Sequence, residues 1–289
     1  MLPLASLPET EILDAGELKI AELEAVARKV RASVVKMAHT GKGAHLGSAL
    51  SCIDILVAAY WTALRHNPRD PWAPERDRFI LSKGHAASAL YATLAHRGFF
   101  PVEDLATYAK AGSKLAEHPS PACAPGVEVG TGSLGHGLSL GLGMLLAGRI
   151  NRQSYRAFAV LSDGECNEGS VWEAALLAPA KKIDNVCVVV DFNRWQATGR
   201  SEEVMAIQPF REKWKSFGWS AYEIDGNDMH ALCEVLGNVP DGSGKPVAIV
   251  ARTVKGKGIS FMEDDNNWHY RIPDENDVAR ACAELGVEP

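Results

Sequence analysis

Two oxygen-bearing side chains end two consecutive apolar segments of this chain. Asp163 follows the apolar run 157–161, and Asn193 follows the β-branched run 186–190. Between them, residues 168–182 carry apolar side chains at helical spacing. A strand–helix–strand unit with parallel strands brings both polar residues to the carboxyl edge of a sheet, where ligands of open α/β sheets bind. Carboxylate and amide oxygens are ligands that magnesium accepts, so the spacing predicts a magnesium site.

The same segment offers a place for an anion. Gly164 lets the backbone approach a phosphate without a side chain in the way. A helix that begins near Glu168 directs free N–H groups and its positive dipole end toward the same point. These features predict a metal-bound diphosphate. The alternative is an ordinary turn at a strand end, with Asn193 unrelated to it.

The motif carries a family resemblance. S-D-G-E-C-N-E-G at 162–169, with N-R-W at 193–195, resembles the thiamine diphosphate motif G-D-G … N. The resemblance implies that Asp163, Asn193 and the backbone carbonyl of Trp195 bind magnesium, with Gly164 and Glu168 beside the cofactor. Ser162 stands where the family often has glycine.

Further segments extend the resemblance to transketolases. G-A-H-L-G, D-R-F-I-L-S-K-G-H-A, E-H-P-S, T-G-S-L-G-H-G and T-V-K-G-K-G … W-H follow one another in that family's order. The chain departs from the family pattern at Leu46, Glu117, Ser120 and His136. The resemblance implies cofactor contacts from His85, Gly132, Leu134 and His269, and substrate contacts and proton transfer from His45, His85, His118 and His269. Taken singly, His45 is also compatible with a surface or capping histidine, and the His85 segment with a helix-capping turn that binds no ligand. The lysines of the last loop, Lys255 and Lys257, are also compatible with solvated side chains.

Composition and charge exclude several kinds of protein for this chain. The 289 residues have a net charge of −6, which argues against a nucleic-acid partner. The six cysteines are scattered without a C-x-x-C pair, as expected for reduced thiols in a cytoplasmic enzyme. The N-terminus lacks the basic start and apolar core of a signal peptide. The apolar region 138–148 is too short to span a bilayer, so we expect no membrane association.

Periodicity predicts alternating strands and helices. One strand is expected to end in the turn that begins at Ser82. Four further strands are expected at 157–161, 186–190, 219–225 and 246–251. Helices are expected at 18–37, 51–64, 86–97, 102–110, 138–149, 168–182, 208–218, 229–236 and 274–285. This alternation predicts a doubly wound α/β fold with a mostly parallel sheet and helices on both faces. We expect a single thiamine diphosphate-binding domain over 1–289, in which residues 1–16 form an N-terminal arm.

The resemblance covers only the diphosphate-binding domain of a transketolase. In that family the glutamate that activates the cofactor comes from a second domain across a subunit interface, and we do not assign that role to Glu168. We therefore expect a C-terminal, pyrimidine-binding partner subunit, joined with this chain in an α2β2 heterotetramer. The expected reaction moves a two-carbon ketol unit from a ketose phosphate to an aldose. A lipoyl or carrier-protein acceptor and a non-catalytic α/β binding module remain alternatives, and the sequence leaves the sugar open.

Overall fold

A computed structural model describes residues 19–288, so the predicted arm at 1–16 lies outside the described residues. A five-stranded sheet forms its centre, in the order β1-β2-β3-β5-β4, and every strand pairing in the described residues is parallel. The predicted fold class is confirmed. The strands are β1 (Arg78–Leu81), β2 (Ala157–Ser162), β3 (Val186–Phe192), β4 (Ser220–Asp225) and β5 (Val247–Arg252).

Helices connect the strands on both faces of the sheet. They are α1 (Ile20–Gly41), α2 (Leu46–Ser51), α3 (Ile53–Ala58), α4 (Ala87–His96), α5 (Gly137–Ile150), α6 (Gly169–Ala180), α7 (Ser201–Met205), α8 (Phe210–Ser216), α9 (Met229–Gly237) and α10 (Glu275–Leu285). A π-helical turn, Ala59–Ala63, extends α3, and 3₁₀ turns occur at Gly84–Ala86, Val102–Thr107, Gly164–Asn167 and Asn266–His269.

Alternation along the buried strands produces two cores. Phe158 and Val160 of β2 face the core shared with α1, α3, α4, α9 and α10. Ala159 and Leu161 point the other way, toward α5, α6 and α8. Successive strand residues point to opposite faces, so a strand buried on both sides is apolar throughout. The chain returns from β4 to β5 through α9, on the face opposite α5 and α6. This change of face follows from right-handed crossovers whose direction along the sheet reverses.

Some predicted boundaries were wrong. The helix expected at 51–64 is replaced by α2, which begins already at Leu46, and by α3 with its π-helical turn, because the backbone leaves the helical conformation at Cys52. The segment expected as a helix at 102–110 is a short 3₁₀ turn. The helix α7, which follows the Asn193 loop, was not predicted because five residues carry too little periodicity to detect. Within residues 19–288, no helix combines the length and the apolar character needed to cross a membrane.

Candidate functional site

The loops that leave the carboxyl ends of β1, β2, β3 and β5 enclose a cavity of about 410 Å³. All of the predicted site residues line this cavity except Asp163, which lies fully buried. A larger and more open cavity of about 910 Å³ lies between Trp72 and the segment 100–125, and none of the predicted site residues lines it. The structure therefore brings together, at one edge of the sheet, residues that are far apart in sequence.

Asp163 has a carboxylate oxygen without a partner. Its Oδ2 atom accepts a hydrogen bond of 2.7 Å from the Ser201 hydroxyl, whereas its Oδ1 atom is buried and unpaired. Burial raises the pKa of this carboxyl to about 6, the Ser201 hydroxyl opposes the rise, and the charge of Asp191 adds to it. A buried, unpaired carboxylate oxygen is unfavourable unless a cation or donor meets it. Asp163 therefore suits a cation.

Asn193 and Trp195 form a tight turn just after β3. Arg194 between them has a φ of 65°, in the left-handed region. This turn lets the Trp195 N–H donate to Asn193 Oδ1 at 3.0 Å, and the Asn193 amide group lies 3.4 Å from the Ser51 hydroxyl. Within residues 19–288, no group of three or more His, Cys, Asp and Glu side chains is placed to hold a metal. The predicted magnesium site differs in kind, since it combines one carboxylate, one amide and one carbonyl with phosphate and water.

A buried ion pair, which was not predicted from the sequence, lies beside Asp163. Lys83 and Asp191 are both completely buried and are paired through Nζ and Oδ2. Ser51 donates to the same carboxylate at 2.6 Å, and Lys83 also donates to the Ser48 carbonyl at 2.9 Å. Burial opposes the charged form of Lys83, but Asp191 outweighs it, so the pKa of the lysine is raised. Both carboxylate oxygens of Asp191 therefore have partners, whereas one oxygen of Asp163 has none.

The four predicted histidines gather on one side of the cavity. The ring of His45 lies 5.0 Å from His269, 5.5 Å from His85 and 5.8 Å from His118, measured between centroids. His45 adopts a left-handed φ of 66° and donates its backbone N–H to the His269 carbonyl at 2.6 Å. A non-glycine residue in this region is strained, and such strain persists where the surroundings hold it in place. The cluster was predicted residue by residue, but its compactness was not.

Three of the four histidines, which are partly or fully buried, are neutral near physiological pH. Burial, helped by His118 and Lys255, lowers the pKa of His45 to about 4. Burial, helped by Lys255 and His45, lowers the pKa of His269 to about 3. The pKa of His85 falls well below its ordinary value, through burial and the charge of Lys83. A neutral imidazole offers one donor and one acceptor, which matches the hydroxyl groups of a sugar.

The glycine-rich segment 130–137 is packed closely against the cavity wall. At Gly132, where φ is 135°, a Cβ atom would lie 2.6 Å from the His118 ring. At Gly135, where φ is 82°, a Cβ atom would lie 2.7 Å from Glu168. Glycine is required here both by the backbone conformation and by close packing.

Glu165 joins three of these loops, and it was not predicted. Its carboxylate accepts from the Ser82 hydroxyl after β1, from the Gly135 N–H at 2.8 Å and from the Ser162 N–H at 3.2 Å. Glu168, by contrast, stands at the N-cap position of α6 and is exposed at the edge of the cavity. The backbone donors around Glu165 could not be anticipated from spacing alone.

Lys255 contradicts the interpretation of it as a solvated loop lysine. Its side chain is fully buried, and its Nζ atom lies 2.5 Å from Asn266 Oδ1 and 3.1 Å from His269 Nδ1. Burial and repulsion by Lys83 lower its pKa to about 8. Lys257 is partly exposed, as expected for a surface lysine.

Several cavity-lining residues keep buried polar atoms without partners. They include His45 Nδ1, Asn167 Oδ1 and Gln196 Nε2, in addition to Asp163 Oδ1 beneath them. Buried polar groups in native proteins are almost always paired, with protein, water or ligand. Their concentration around one cavity, with Gly164 as the close-approach position, fits a polar ligand that carries a cation.

Comparisons with known proteins point to one family. The family model described as "Transketolase, thiamine diphosphate binding domain" matches residues 23–289. The chain is 37% identical over 268 residues to a subunit of the apulose-4-phosphate transketolase of Phocaeicola vulgatus, covering 93% of this chain and 95% of that protein. It is 37% identical over 244 residues to a 6-deoxy-6-sulfo-D-fructose transketolase subunit of a Clostridium strain, covering 84% of this chain and 89% of that protein.

A solved structure extends the agreement to the fold. The transketolase of Campylobacter jejuni superposes with a TM-score of 0.87 at 27% identity, over 94% of this chain and 44% of the solved chain. The chain thus spans less than half of that transketolase, whereas it matches the two relatives above over most of their length.

Proposed function

The chain belongs to the transketolase family, and we propose that it is the diphosphate-binding, N-terminal subunit of a split transketolase. In this proposal it requires thiamine diphosphate and magnesium, and it transfers a two-carbon ketol unit from a ketose phosphate to an aldose together with a partner subunit. The observation that carries the proposal is the unpaired, buried Oδ1 atom of Asp163 beneath a cavity lined by Asn193 and four histidines.

The residues of this chain divide the work of binding. Asp163, Asn193 and the Trp195 carbonyl would hold magnesium, and Gly164 would let the diphosphate approach the backbone at the start of the helical segment. Gly132, Leu134 and Glu168 would line the cofactor from the opposite wall. When bound, thiamine diphosphate supplies the electron sink that the reaction needs.

The histidines would orient the sugar and move its protons. His45, His85 and His269 are neutral, so their rings can accept hydrogen bonds from hydroxyl groups or donate them to oxygens, which would align the hydroxyl groups for proton transfer. His118 is exposed at the cavity rim, where it can meet the more distant hydroxyls of a substrate. The short distances between these rings allow one substrate to contact several of them at once.

A second chain would complete the site. The Phocaeicola vulgatus relative is named as one subunit of its transketolase, and this chain matches 95% of its length. We propose a pyrimidine-binding partner that supplies the activating glutamate, in an α2β2 assembly, with Glu168 near the contact because it is exposed at the cavity edge. All six cysteines are free, which supports a reducing compartment such as the cytoplasm.

Reconstitution of the complex tests the proposal. The partner is first identified by co-purification from the native source, and the complex is then assayed with ketose phosphates, with and without aldose acceptors. We expect ketol transfer that depends on thiamine diphosphate, magnesium and both subunits. Full activity of this chain alone would contradict the requirement for a partner. A complex that binds no thiamine diphosphate in calorimetry, with magnesium present, would contradict the catalytic role. Product formation without an aldose would favour a carrier-bound acceptor.

A further inference from the structure

Two loops of the site are fastened to each other by a surface carboxylate. We call residues 193–200 the metal loop, because they contain Asn193 and Trp195, and residues 255–269 the histidine loop, because they contain Lys255 and His269. Asp264 lies on the histidine loop and points toward the metal loop. Its carboxylate accepts from both terminal nitrogens of Arg200, at 2.7 and 2.6 Å, and from the Trp195 indole N–H at 2.8 Å.

Arg200 and Trp195 also contact each other. The guanidinium carbon of Arg200 lies 3.7 Å from the centre of the Trp195 ring, within the range of a cation–π contact. The three side chains therefore form a closed triangle that spans the two loops. Isolated surface ion pairs contribute little, but a bidentate arginine–carboxylate pair with further contacts is the favourable case.

A second contact leads from the same place into the cavity. Asn266 donates from its amide group to the Ala197 carbonyl of the metal loop at 3.2 Å. The amide oxygen of Asn266 accepts from Lys255, which in turn lies 3.1 Å from His269 Nδ1. Asp264 is connected to this chain of contacts by its own backbone, since its N–H donates to the Lys255 carbonyl at 2.8 Å.

We propose that Asp264 is a positioning residue that holds the metal loop and the histidine loop in register as one unit. It touches neither the cavity nor the expected ligand directly. Through Trp195 and Arg200 it fixes the turn that presents Asn193, and through its own loop it fixes Lys255 and His269. This inference rests on the proposed function, because the roles of Asn193, Trp195 and His269 come from it.

Hydrogen exchange of the full chain tests the coupling without any ligand. In Asp264→Asn, the Gln196 and Ser201 amides, which are bonded inside or next to the metal loop, should exchange about fivefold faster. Glu263→Gln is the matched control, since Glu263 bonds only within its own loop, to Gly258 and Lys257. It should leave both amides unchanged. Unchanged exchange of Gln196 and Ser201 in Asp264→Asn would overturn the proposal.

Arg200→Gln provides the reciprocal variant. It should speed the exchange of amides in the histidine loop, and the double variant with Asp264→Asn should show clearly less than the sum of the two single effects, because both substitutions break the same ion pair. Additive effects of the two substitutions would contradict a shared contact between the two loops. Urea unfolding of each variant shows that the chain remains folded.

The reconstituted complex supplies the functional readout. The magnesium concentration that half-saturates thiamine diphosphate binding, measured by calorimetry, should rise about fivefold in Asp264→Asn and stay unchanged in Glu263→Gln. A wild-type complex that binds no cofactor would refute the proposed function and leave the exchange result to decide whether the loops are coupled. A wild-type complex that binds it, with Asp264→Asn equal to wild type, would refute the positioning role alone.

Discussion

The substitution Asp163→Asn tests whether the Asp163 carboxylate serves to bind a ligand or to stabilise the fold. Burial holds the pKa of this carboxyl at about 6, against an ordinary value of 3.8. At about 1.4 kcal/mol per pKa unit, this difference corresponds to roughly 3 kcal/mol of stability that the cofactor-free protein lacks at pH 8. Because the folded pKa is raised, the penalty is absent below about pH 4, grows as the pH rises from 4 to 6 and is constant above that.

The asparagine variant removes the charge of the side chain and keeps its shape. Its amide oxygen can still accept from Ser201, which now bonds the carboxylate at 2.7 Å. Its NH₂ group replaces the unpaired Oδ1 atom and is itself left without an acceptor, at a cost of about 1–2 kcal/mol. We therefore expect Asp163→Asn to raise the free energy of unfolding of the cofactor-free chain by about 1–2 kcal/mol at pH 8.

Asp191→Asn is the matched control with the opposite sign. Asp191 is as completely buried as Asp163 and lies on the neighbouring strand, but Lys83, Ser51 and Thr253 already bond it. Its neutralisation leaves the ammonium group of Lys83 buried without a counter-charge. We expect a loss of about 3–5 kcal/mol in the free energy of unfolding.

Urea unfolding of the three proteins at pH 8 with a chelator gives these free energies. The reconstituted complex is then melted with and without thiamine diphosphate and magnesium. The ligands should raise the melting temperature of wild type and leave that of Asp163→Asn unchanged. The reasoning is refuted if Asp163→Asn loses stability in the chelator as Asp191→Asn does, or if the ligands stabilise the Asp163→Asn complex as much as wild type.

Three further predictions concern the cavity wall. His85→Ala or His269→Ala should lower kcat of the complex by about 10²–10⁴-fold while the complex still assembles, measured by steady-state kinetics and gel filtration, and normal turnover would remove their assignment to proton transfer. Gly132→Ala should lower the free energy of unfolding by about 2 kcal/mol or more in urea, since the new Cβ would lie 2.6 Å from His118 in a backbone conformation with positive φ, and an unchanged midpoint would contradict the packing argument. Lys255→Met should be more stable than wild type at pH 7, because below its lowered pKa of about 8 the lysine is buried as an ammonium group. The gain should shrink as the pH rises from 8 toward 10.5, where the folded protein holds the lysine neutral. A gain in the free energy of unfolding that does not vary with pH would contradict this reasoning.

The sequence predicted the parts of the site that depend on strand ends. Asp163 and Asn193 follow apolar runs, and the runs became β2 and β3 with a parallel register that starts at Ala157 and Val186. Once two strands are parallel and adjacent, the residues that follow them must meet at one edge, so periodicity alone was sufficient. Roles for the residues at that edge came from the family resemblance, and they await the experiments above.

Contacts between loops could not be predicted from the periodicity of the sequence. Asp264 pairs with Arg200 and Trp195, which are 64 and 69 positions away in sequence, and no spacing rule connects these loops. Similarly, Glu165 could be seen as an acidic residue near the motif, but not as an acceptor for the Gly135 N–H. Such bonds depend on the path that each loop takes. The strands determine only where each loop begins.

The two buried lysines show why composition misled the interpretation of one loop. An isolated lysine in a polar loop is usually solvated, because burying an ammonium group without a partner is unfavourable. Lys83 is buried because Asp191 neutralises it, and this requires the residues that follow β1 to lie level with the last residues of β3. Lys255 is buried with only the neutral partners Asn266 and His269, which accounts for its lowered pKa. In the proposed complex, the anionic diphosphate would offset the cost of burying the Lys255 ammonium group, as the magnesium ion would offset the cost of the unpaired oxygen on Asp163.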